Sequence, residues 1–186
     1  ALWLKKPEEE VTGVERFMAK FVVHGSGYGR GPKSVAEQFK ISVSEAQMIQ
    51  EAILGQFRQY NEWRRAERDF AWKNGYSVNA FGRRRYYLDV SQAEIERQAY
   101  NFRPQSEAHD ILMRAHIAVN AKATSLHWDI HVVADIHDAL LIELPEQTAP
   151  ELAEQIKQVM QHDFLPGFHA PVGVKIGVDG GEVWKR

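Results

Sequence analysis

The chain has 186 residues, a formal net charge of −2 and no cysteine. Its length fits one ordinary domain or one large piece of a bigger enzyme. Without cysteine, disulfide bonds and thiolate metal sites are excluded. No apolar run is long enough to span a membrane and the first residues lack the features of a signal peptide, so a cytoplasmic protein without a membrane partner is predicted. The small net charge gives no general reason to expect nucleic acid, so that prediction must come from local clusters.

The first part of the chain is predicted to be helical. The predicted helices cover residues 12–23, 32–39 and 42–73, the last with a bend near Gly55. Capping boxes at Thr12-Gly-Val-Glu15 and Ser42-Val-Ser-Glu45 begin the first and third helices. The glycine-rich stretch 24–32 is expected to end the first helix.

Strands are predicted later in the chain, mostly as two hairpins. They cover residues 76–79, 84–88, 129–136 and 139–144, with a last strand over 172–178. Helices are predicted on both sides of Pro104, because proline breaks a helix interior, and again over 149–164. Helices mixed with antiparallel strands make the predicted fold class α+β.

The first helix carries a stripe of chemically suggestive side chains. Arg16, Lys20, His24 and Tyr28 recur every four residues, so the first three lie along one helical face. Two cations one turn apart, with an aromatic ring beyond, could grip a triphosphate while the ring contacts a sugar or base. Spacing alone leaves open a solvated basic face whose cations pair with nearby acids such as Glu15.

The spacing Arg-x3-Lys-x7-Tyr-Gly resembles the fingers motif of family A DNA polymerases, which are similar to bacterial DNA polymerase I, and Arg16, Lys20, Tyr28 and Gly29 fill it. The resemblance implies that Arg16 and Lys20 hold the phosphates of the incoming deoxynucleotide. It also implies that Tyr28 stacks near the templating position and helps to close the fingers. His24 stands where the family usually has Phe or Tyr packed on the incoming sugar, so the chain departs from the family pattern at this position.

A middle block again uses four-residue spacing. Arg97, Asn101 and Gln105 offer donors suited to the minor-groove acceptors that every base pair presents in similar form. The pattern Glu96-Arg97-x3-Asn101-x3-Gln105-x4-Asp110 resembles a family A block that contacts DNA.

A basic hairpin precedes that block. Gly75-Tyr76 followed by Gly82-Arg83-Arg84 resembles the G-Y…G-R-R hairpin of the same family. The resemblance implies that Arg83 and Arg84 lie near the DNA backbone, where they would position phosphates.

The pair His137-Asp138 falls between two apolar strands. Aspartate is common in tight turns for its local hydrogen bonds, so the pair alone does not indicate a metal site. The palm motif of the family reads V-H-D-E, however, and Ile136-His137-Asp138-Ala139 resembles it, with Ala139 in place of Glu. By that resemblance Asp138 is a catalytic ligand of Mg²⁺, one of two divalent ions in the complete enzyme, and His137 contacts the primer end.

The second catalytic aspartate of the family belongs to a D-x-S-x-x-E block upstream of the fingers helix. Asp89-Val-Ser-Gln-Ala-Glu94 has those letters but follows the fingers motif. Ser91 to Glu94 also forms a capping box for the helix that carries Arg97, so we interpret Asp89 as a decoy.

The sequence therefore predicts fingers helices over 1–74 and part of an antiparallel palm sheet over 75–186 of a right-hand DNA-directed DNA polymerase. The expected partners are primer-template DNA, deoxynucleoside triphosphates and the N-terminal polymerase portion, without which the chain is expected to be inactive. A non-catalytic nucleic-acid-binding module derived from a polymerase is the alternative. A histidine-metal hydrolase using His127, His131 and His137 is a third hypothesis, and a metal-content measurement would distinguish it.

Overall fold

The computed structural model describes residues 6–177, which fall into two compact units divided between Pro104 and Gln105. The helices of the first unit are α1 (Gly13–Gly27), α2 (Pro32–Phe39), α3 (Val43–Leu54), α4 (Arg58–Asn74) and the start of α5 (Gln92–Leu126). A hairpin of β1 (Tyr76–Val78) and β2 (Arg84–Tyr86) lies between α4 and α5. These units are defined by packing, so the division into fingers (1–74) and palm (75–186) stays a prediction.

Both predicted capping boxes form. The N–H of Glu15 donates to Thr12 Oγ1 at 3.3 Å, and Glu15 Oε2 accepts from the N–H of Thr12 at 2.8 Å. Ser42 and Glu45 make the same reciprocal pair at the start of α3. Each box satisfies helix N–H groups that have no partner inside the helix, so these two starts could be predicted from sequence.

The predicted end of α1 near Val23 is wrong, because the helix continues through the glycines to Gly27. Gly25 serves close packing there instead of ending the helix. A Cβ built on Gly25 would lie 2.8 Å from Cδ of Arg30, so any larger residue would force the Arg30 side chain to shift. The extension keeps His24 on the helix with Arg16 and Lys20.

The helical region predicted over 42–73 is two helices, α3 and α4, separated at Gly55–Phe57. A buried apolar cluster joins α1, α2 and α3 and consists of Val22, Val35, Ala36, Ala46 and Ile53. This core fixes the inner face of α1, so the opposite face is left for solvent or ligand.

The prediction of separate helices around Pro104 is also wrong, because α5 runs without a break from Gln92 to Leu126. Proline removes one backbone donor and crowds the preceding turn. Packing offsets that cost in each unit, since Ala99 and Tyr100 are buried in the first and Leu112 and Val119 in the second.

The second unit contains the rest of α5, the hairpin of β3 (His131–Ile136) and β4 (Ala139–Glu143), and α6 (Ala149–Met160). Val119, Leu152 and Ile156 form its core, and one face of the hairpin packs on them through residues such as Val132 and Ile142.

Two predictions at the C-terminal end are wrong. Helix α6 ends at Met160, four residues before the predicted Phe164. Residues 172–177 form no strand, and Val178, the predicted last residue of that strand, lies outside the described part. An alternating apolar pattern favours a strand, but a strand forms only where a neighbour pairs with its backbone groups.

The observed class is α+β, as predicted, with long helices and two small antiparallel sheets. Over residues 6–177 there is no helix both long and apolar enough to cross a membrane. The cytoplasmic location stays a prediction.

Candidate functional site

The exposed face of α1 carries the predicted nucleotide-binding residues. Arg16, Lys20 and His24 all lie on the helix and are exposed. The guanidinium of Arg16 is 3.6 Å from Glu8 Oε1, with the two side chains 78% and 80% exposed. An ion pair this exposed contributes little, so it competes weakly with a bound anion. The structure thus brings these three side chains onto one open surface, while their roles stay predictions.

Tyr28 and Gly29 form the C-terminal end of this surface. Tyr28 is the C-cap of α1, its N–H donates to the carbonyl oxygen of Gly25 at 3.0 Å, and its side chain is 56% exposed. Gly29 has φ 73°, a left-handed conformation that favours glycine. A Cβ on Gly29 would lie 2.7 Å from Cγ of Arg97, so this glycine also permits close approach of α5. A predicted nucleotide-binding residue and a predicted DNA-binding residue are therefore in contact.

Sequence reasoning missed the residue that supports this end of α1. Gln50 of α3 is 7% exposed, and its Nε2 donates to Ser26 Oγ and to the carbonyl oxygen of Arg30, both at 3.0 Å. The available signal was the stripe Ala46, Gln50, Ile53, which places an amide among apolar residues on one helical face.

On α5, Arg97 pairs with Glu94, and Asn101 Nδ2 donates to the carbonyl oxygen of Arg97 at 2.8 Å. Hydrogen bonding from Gln98, together with the charge of Arg97, lowers the pKa of Glu94 below its ordinary value. Gln105 is exposed on the same helix but belongs to the second unit. One bond of the capping box predicted at Ser91–Glu94 is present, since Ser91 Oγ accepts from the N–H of Glu94 at 3.3 Å.

The hairpin exposes both of its predicted arginines. The guanidinium of Arg84 lies 5.0 Å from the ring centroid of Tyr76, and a hydrogen bond with Tyr86 raises its pKa. The N–H of Arg83 donates to Asn79 Oδ1 at 2.9 Å, which fixes the turn. Arg85, which sequence reasoning did not select, joins the hairpin to α5 through Gln98 Oε1 at 3.0 Å.

A second set of missed residues joins α4 to α5. Arg103 Nη1 lies 2.7 Å from Oε1 of Glu67, which is 8% exposed, and the guanidinium of Arg64 lies 4.2 Å from the Tyr100 ring centroid. Burial and the neighbouring carboxylate of Glu96 raise the pKa of Tyr100 to about 12. These contacts fix the part of α5 that carries Arg97 and Asn101.

The His-Asp pair lies at the tip of the second hairpin, where Ile136 pairs with Ala139. His137 and Asp138 form the two-residue turn and both are exposed. His137 has φ 57°, which is uncommon for a residue other than glycine and costs about 1 kcal/mol or more. The paired strands on both sides place Asp138 at the hairpin tip, where its side chain is exposed.

Other candidate ligands are dispersed. Within residues 6–177, no three histidine, aspartate or glutamate side chains lie close enough together to hold a metal ion. His116 Nδ1 instead lies 3.2 Å from Asp135 Oδ1 and joins α5 to β3. Asp89 is an exposed loop residue with φ 55° between β2 and α5.

Comparison with known proteins decides the family. The sequence profile of the family described as "DNA polymerase family A" matches residues 1–186, the whole chain. The chain belongs to this family.

Relatives of known function are polymerases. DNA polymerase I of Mycobacterium bovis is 30% identical over 96% of the chain, and the thermostable DNA polymerase I of Thermus aquaticus is 27% identical over 96%. The chain spans only 20% and 21% of the lengths of these relatives.

A solved structure gives the same result. The polymerase domain of Pol1 from M. smegmatis, in complex with DNA primer-template and dNTP, matches with a TM-score of 0.79 and 31% identity, covering 86% of this chain and 29% of that one. The predicted family A membership and α+β polymerase fold are confirmed. The roles of individual side chains in this family A chain stay predictions.

Proposed function

We propose that the chain supplies the nucleotide-binding surface and part of the DNA-binding surface of a template-directed DNA polymerase. The observation that carries the proposal is the exposed face of α1, where Arg16, Lys20 and His24 lead to Tyr28 and Gly29. The opposite face of the helix is buried in the cluster around Val22, so the orientation of the exposed face is fixed. The M. smegmatis polymerase domain was solved with both primer-template and dNTP, which supports these ligand classes.

The chemistry of the α1 face suits a triphosphate. Arg16 and Lys20 are separated by about 6 Å of helix rise, a spacing that lets two cations contact different phosphates. A planar guanidinium binds phosphate oxygens in pairs and a lysine acts as a point charge. His24 follows on the same helix and Tyr28 caps its C-terminal end, and both offer flat rings for the sugar and base.

For DNA, we propose that Arg97, Asn101 and Gln105 contact minor-groove acceptors that do not depend on sequence. Arg83 and Arg84 would position backbone phosphates from the exposed hairpin. The contact between Gly29 and Arg97 supports this assignment, because it joins the proposed nucleotide surface to the proposed DNA surface.

Asp138 is proposed as one carboxylate of the magnesium site. One exposed carboxylate does not hold the two divalent ions of the expected mechanism, and residues 6–177 gather no complete donor set. When bound, such ions activate the primer hydroxyl and neutralise the triphosphate. We therefore propose that other donors come from the polymerase portion that relatives contain and this chain does not span. The chain alone should not extend a primer.

The test is a titration of the chain with dATP and Mg²⁺ by calorimetry. Lys20→Ala should weaken binding about 10-fold or more, because a hydrogen bond to a charged group contributes about 1.5–3 kcal/mol. Lys73→Ala, which removes an exposed lysine from α4, is the matched control and should leave affinity unchanged. Equal affinity of the Lys20 and Lys73 variants would refute the proposed surface.

The alternative function is a nucleic-acid-binding module without catalysis, which Ala139 favours because the family's palm motif has Glu there. Combining the chain with the upstream portion of a family A relative distinguishes the two. Primer extension that requires both pieces supports the polymerase, whereas DNA binding without extension supports the module. Robust Mg²⁺-dependent extension by the chain alone would contradict the module and the expected inactivity of the isolated chain, and it would return Asp89 to consideration as the second aspartate.

A further inference from the structure

The end of α1 is held by one buried amide that contacts the chain on both sides of Tyr28 and Gly29. Gln50 Nε2 donates to the side chain of Ser26 and to the backbone carbonyl of Arg30, each at 3.0 Å. Ser26 and Gln50 are 3% and 7% exposed. A single rigid group therefore fixes the segment before the tyrosine and the segment after the glycine.

If Gln50 served only to pack, an apolar residue at this position would cost less free energy to bury. Its neighbours on the inner face of α3, Ala46 and Ile53, are apolar and buried. A buried amide is destabilising unless its hydrogen bonds are satisfied, and a methionine or leucine would fill similar space without that requirement. The amide is satisfied only when Ser26 and Arg30 keep their present separation, so it selects one conformation of the residues between them.

Backbone conformation and side-chain packing also restrict the segment from Ser26 to Arg30. Gly29 has φ 73° and leaves no room for a Cβ beside Arg97. Arg30 lies with its guanidinium 4.1 Å from the Phe21 ring centroid. The ring of Tyr28 is 56% exposed, so its position is set mainly by this backbone.

We propose that Gln50 is a positioning residue for nucleotide binding. Through Ser26 and Arg30 it holds Tyr28 and Gly29 in the arrangement that accepts a deoxynucleoside triphosphate, so less ordering is needed when the ligand binds. The inference rests on the proposed function of the α1 face and assigns to α3 a role in it, although Gln50 itself touches no ligand.

The test uses the whole chain and its Gln50→Met variant, in which the side chain keeps its length but cannot donate. Hydrogen exchange of the Tyr28, Gly29 and Arg30 amides reports how firmly the two Gln50 hydrogen bonds hold this segment. Calorimetric titration with dATP and Mg²⁺ reports the effect on nucleotide affinity. We expect exchange to be faster by about fivefold and dATP affinity to fall by about fivefold, the loss expected when a preorganised segment must be ordered by the ligand.

Ile53→Val is the matched control, because Ile53 is a 4% exposed residue of the same helix and core. Its variant should lose stability without changing dATP affinity. If both variants weaken dATP binding equally, the role of Gln50 is general stability and the proposal is wrong. If Gln50→Met does not fold, Ser26→Ala removes one of the two bonds, and unchanged exchange and affinity in that variant overturn the proposal.

Lys20→Ala separates this inference from the function on which it rests. Binding that is lost in Lys20→Ala but unchanged in Gln50→Met overturns only the positioning role. A wild-type chain that binds no dATP, or binds it as well with Lys20→Ala, overturns the proposed function and the inference together.

Discussion

The face of α1 and the tip of the β3–β4 hairpin differ in how many of the residues that each site needs lie in the described chain. On α1, Arg16 and Lys20 lie on a helix whose inner face is buried and whose end is fixed by Gln50. At the hairpin tip, Asp138 is an exposed carboxylate, and residues 6–177 bring no group of three potential ligands together.

The difference follows from what each kind of site requires. A phosphate-binding surface can be made by one helix and neighbours close in sequence, because it needs only a few donors on one side of the ligand. A site for two divalent ions needs several carboxylate oxygens from different parts of a fold. Nucleotide binding and catalysis should therefore be separable in this protein.

The largest expected effect is at Asp138. In an enzyme assembled from this chain and the upstream portion of a relative, Asp138→Asn should lower primer extension by at least about 1,000-fold, since a lost metal ligand costs several kcal/mol. DNA binding should change little. Asp129→Asn, which alters an exposed carboxylate beside the other end of the hairpin, is the control. Unchanged turnover in the Asp138 variant would remove that residue from the mechanism.

The next largest effect is a loss of stability in the first unit, where an ion pair joins α4 to α5. Glu67 is buried and paired with Arg103, so Glu67→Ala should lower the free energy of unfolding by about 2 kcal/mol. Glu62, on the same helix, pairs with Arg58 in the open, and its alanine variant should cost at most about 0.5 kcal/mol. Urea unfolding measures the free energy lost in each variant. Equal losses would mean that the ion pair between α4 and α5 stabilises the fold no more than the exposed pair does.

Gly29 and Gly75 form a matched pair with φ 73° and 71°. An alanine at Gly75 meets nothing within 4 Å, so only the backbone strain of about 1 kcal/mol is expected. An alanine at Gly29 also meets Cγ of Arg97, which should add about 1 kcal/mol. The extra loss should disappear in an Arg97→Ala background, and its persistence there would show that the contact with α5 is not its cause.

The smallest effect concerns the start of α1. Hydrogen bonds from Lys6 and then from Thr12 lower the pKa of Glu15 to about 2, from an ordinary value of 4.5. A carboxylate with a lowered folded-state pKa stabilises the fold above its unfolded pKa, and that stability disappears as the pH falls from about 4.5 to about 2. The difference in Tm between wild type and Glu15→Gln should therefore shrink over this range, and a constant difference would contradict the assigned pKa.

Local chemistry explains which features could be predicted from sequence. The capping boxes of Thr12 and Ser42 and the hairpin turn at His137-Asp138 depend on neighbouring residues, and they were predicted correctly. The predictions at Pro104 and Gly25 are wrong because packing overrides the local tendency of proline and glycine to end helices, and at Gly25 the packed neighbour is Arg30.

The candidate site also contains residues that could be predicted from local sequence and residues that could not. The four-residue spacing of Arg16, Lys20 and His24 indicates one helical face without any knowledge of the fold. Spacing places Gln50 in an apolar stripe of α3, but it does not reveal what Gln50 or Glu67 bonds to. Their partners lie 20 or more residues away in sequence and meet them only in the folded chain.

The most direct measurement is dATP affinity of the isolated chain in two variants, Lys20→Ala and Asp138→Asn. If the chain holds the nucleotide-binding surface by itself, the first variant should lose about 10-fold or more in affinity and the second should bind as well as wild type. Loss of affinity in the Asp138 variant equal to that of the Lys20 variant would contradict the separation of binding from catalysis.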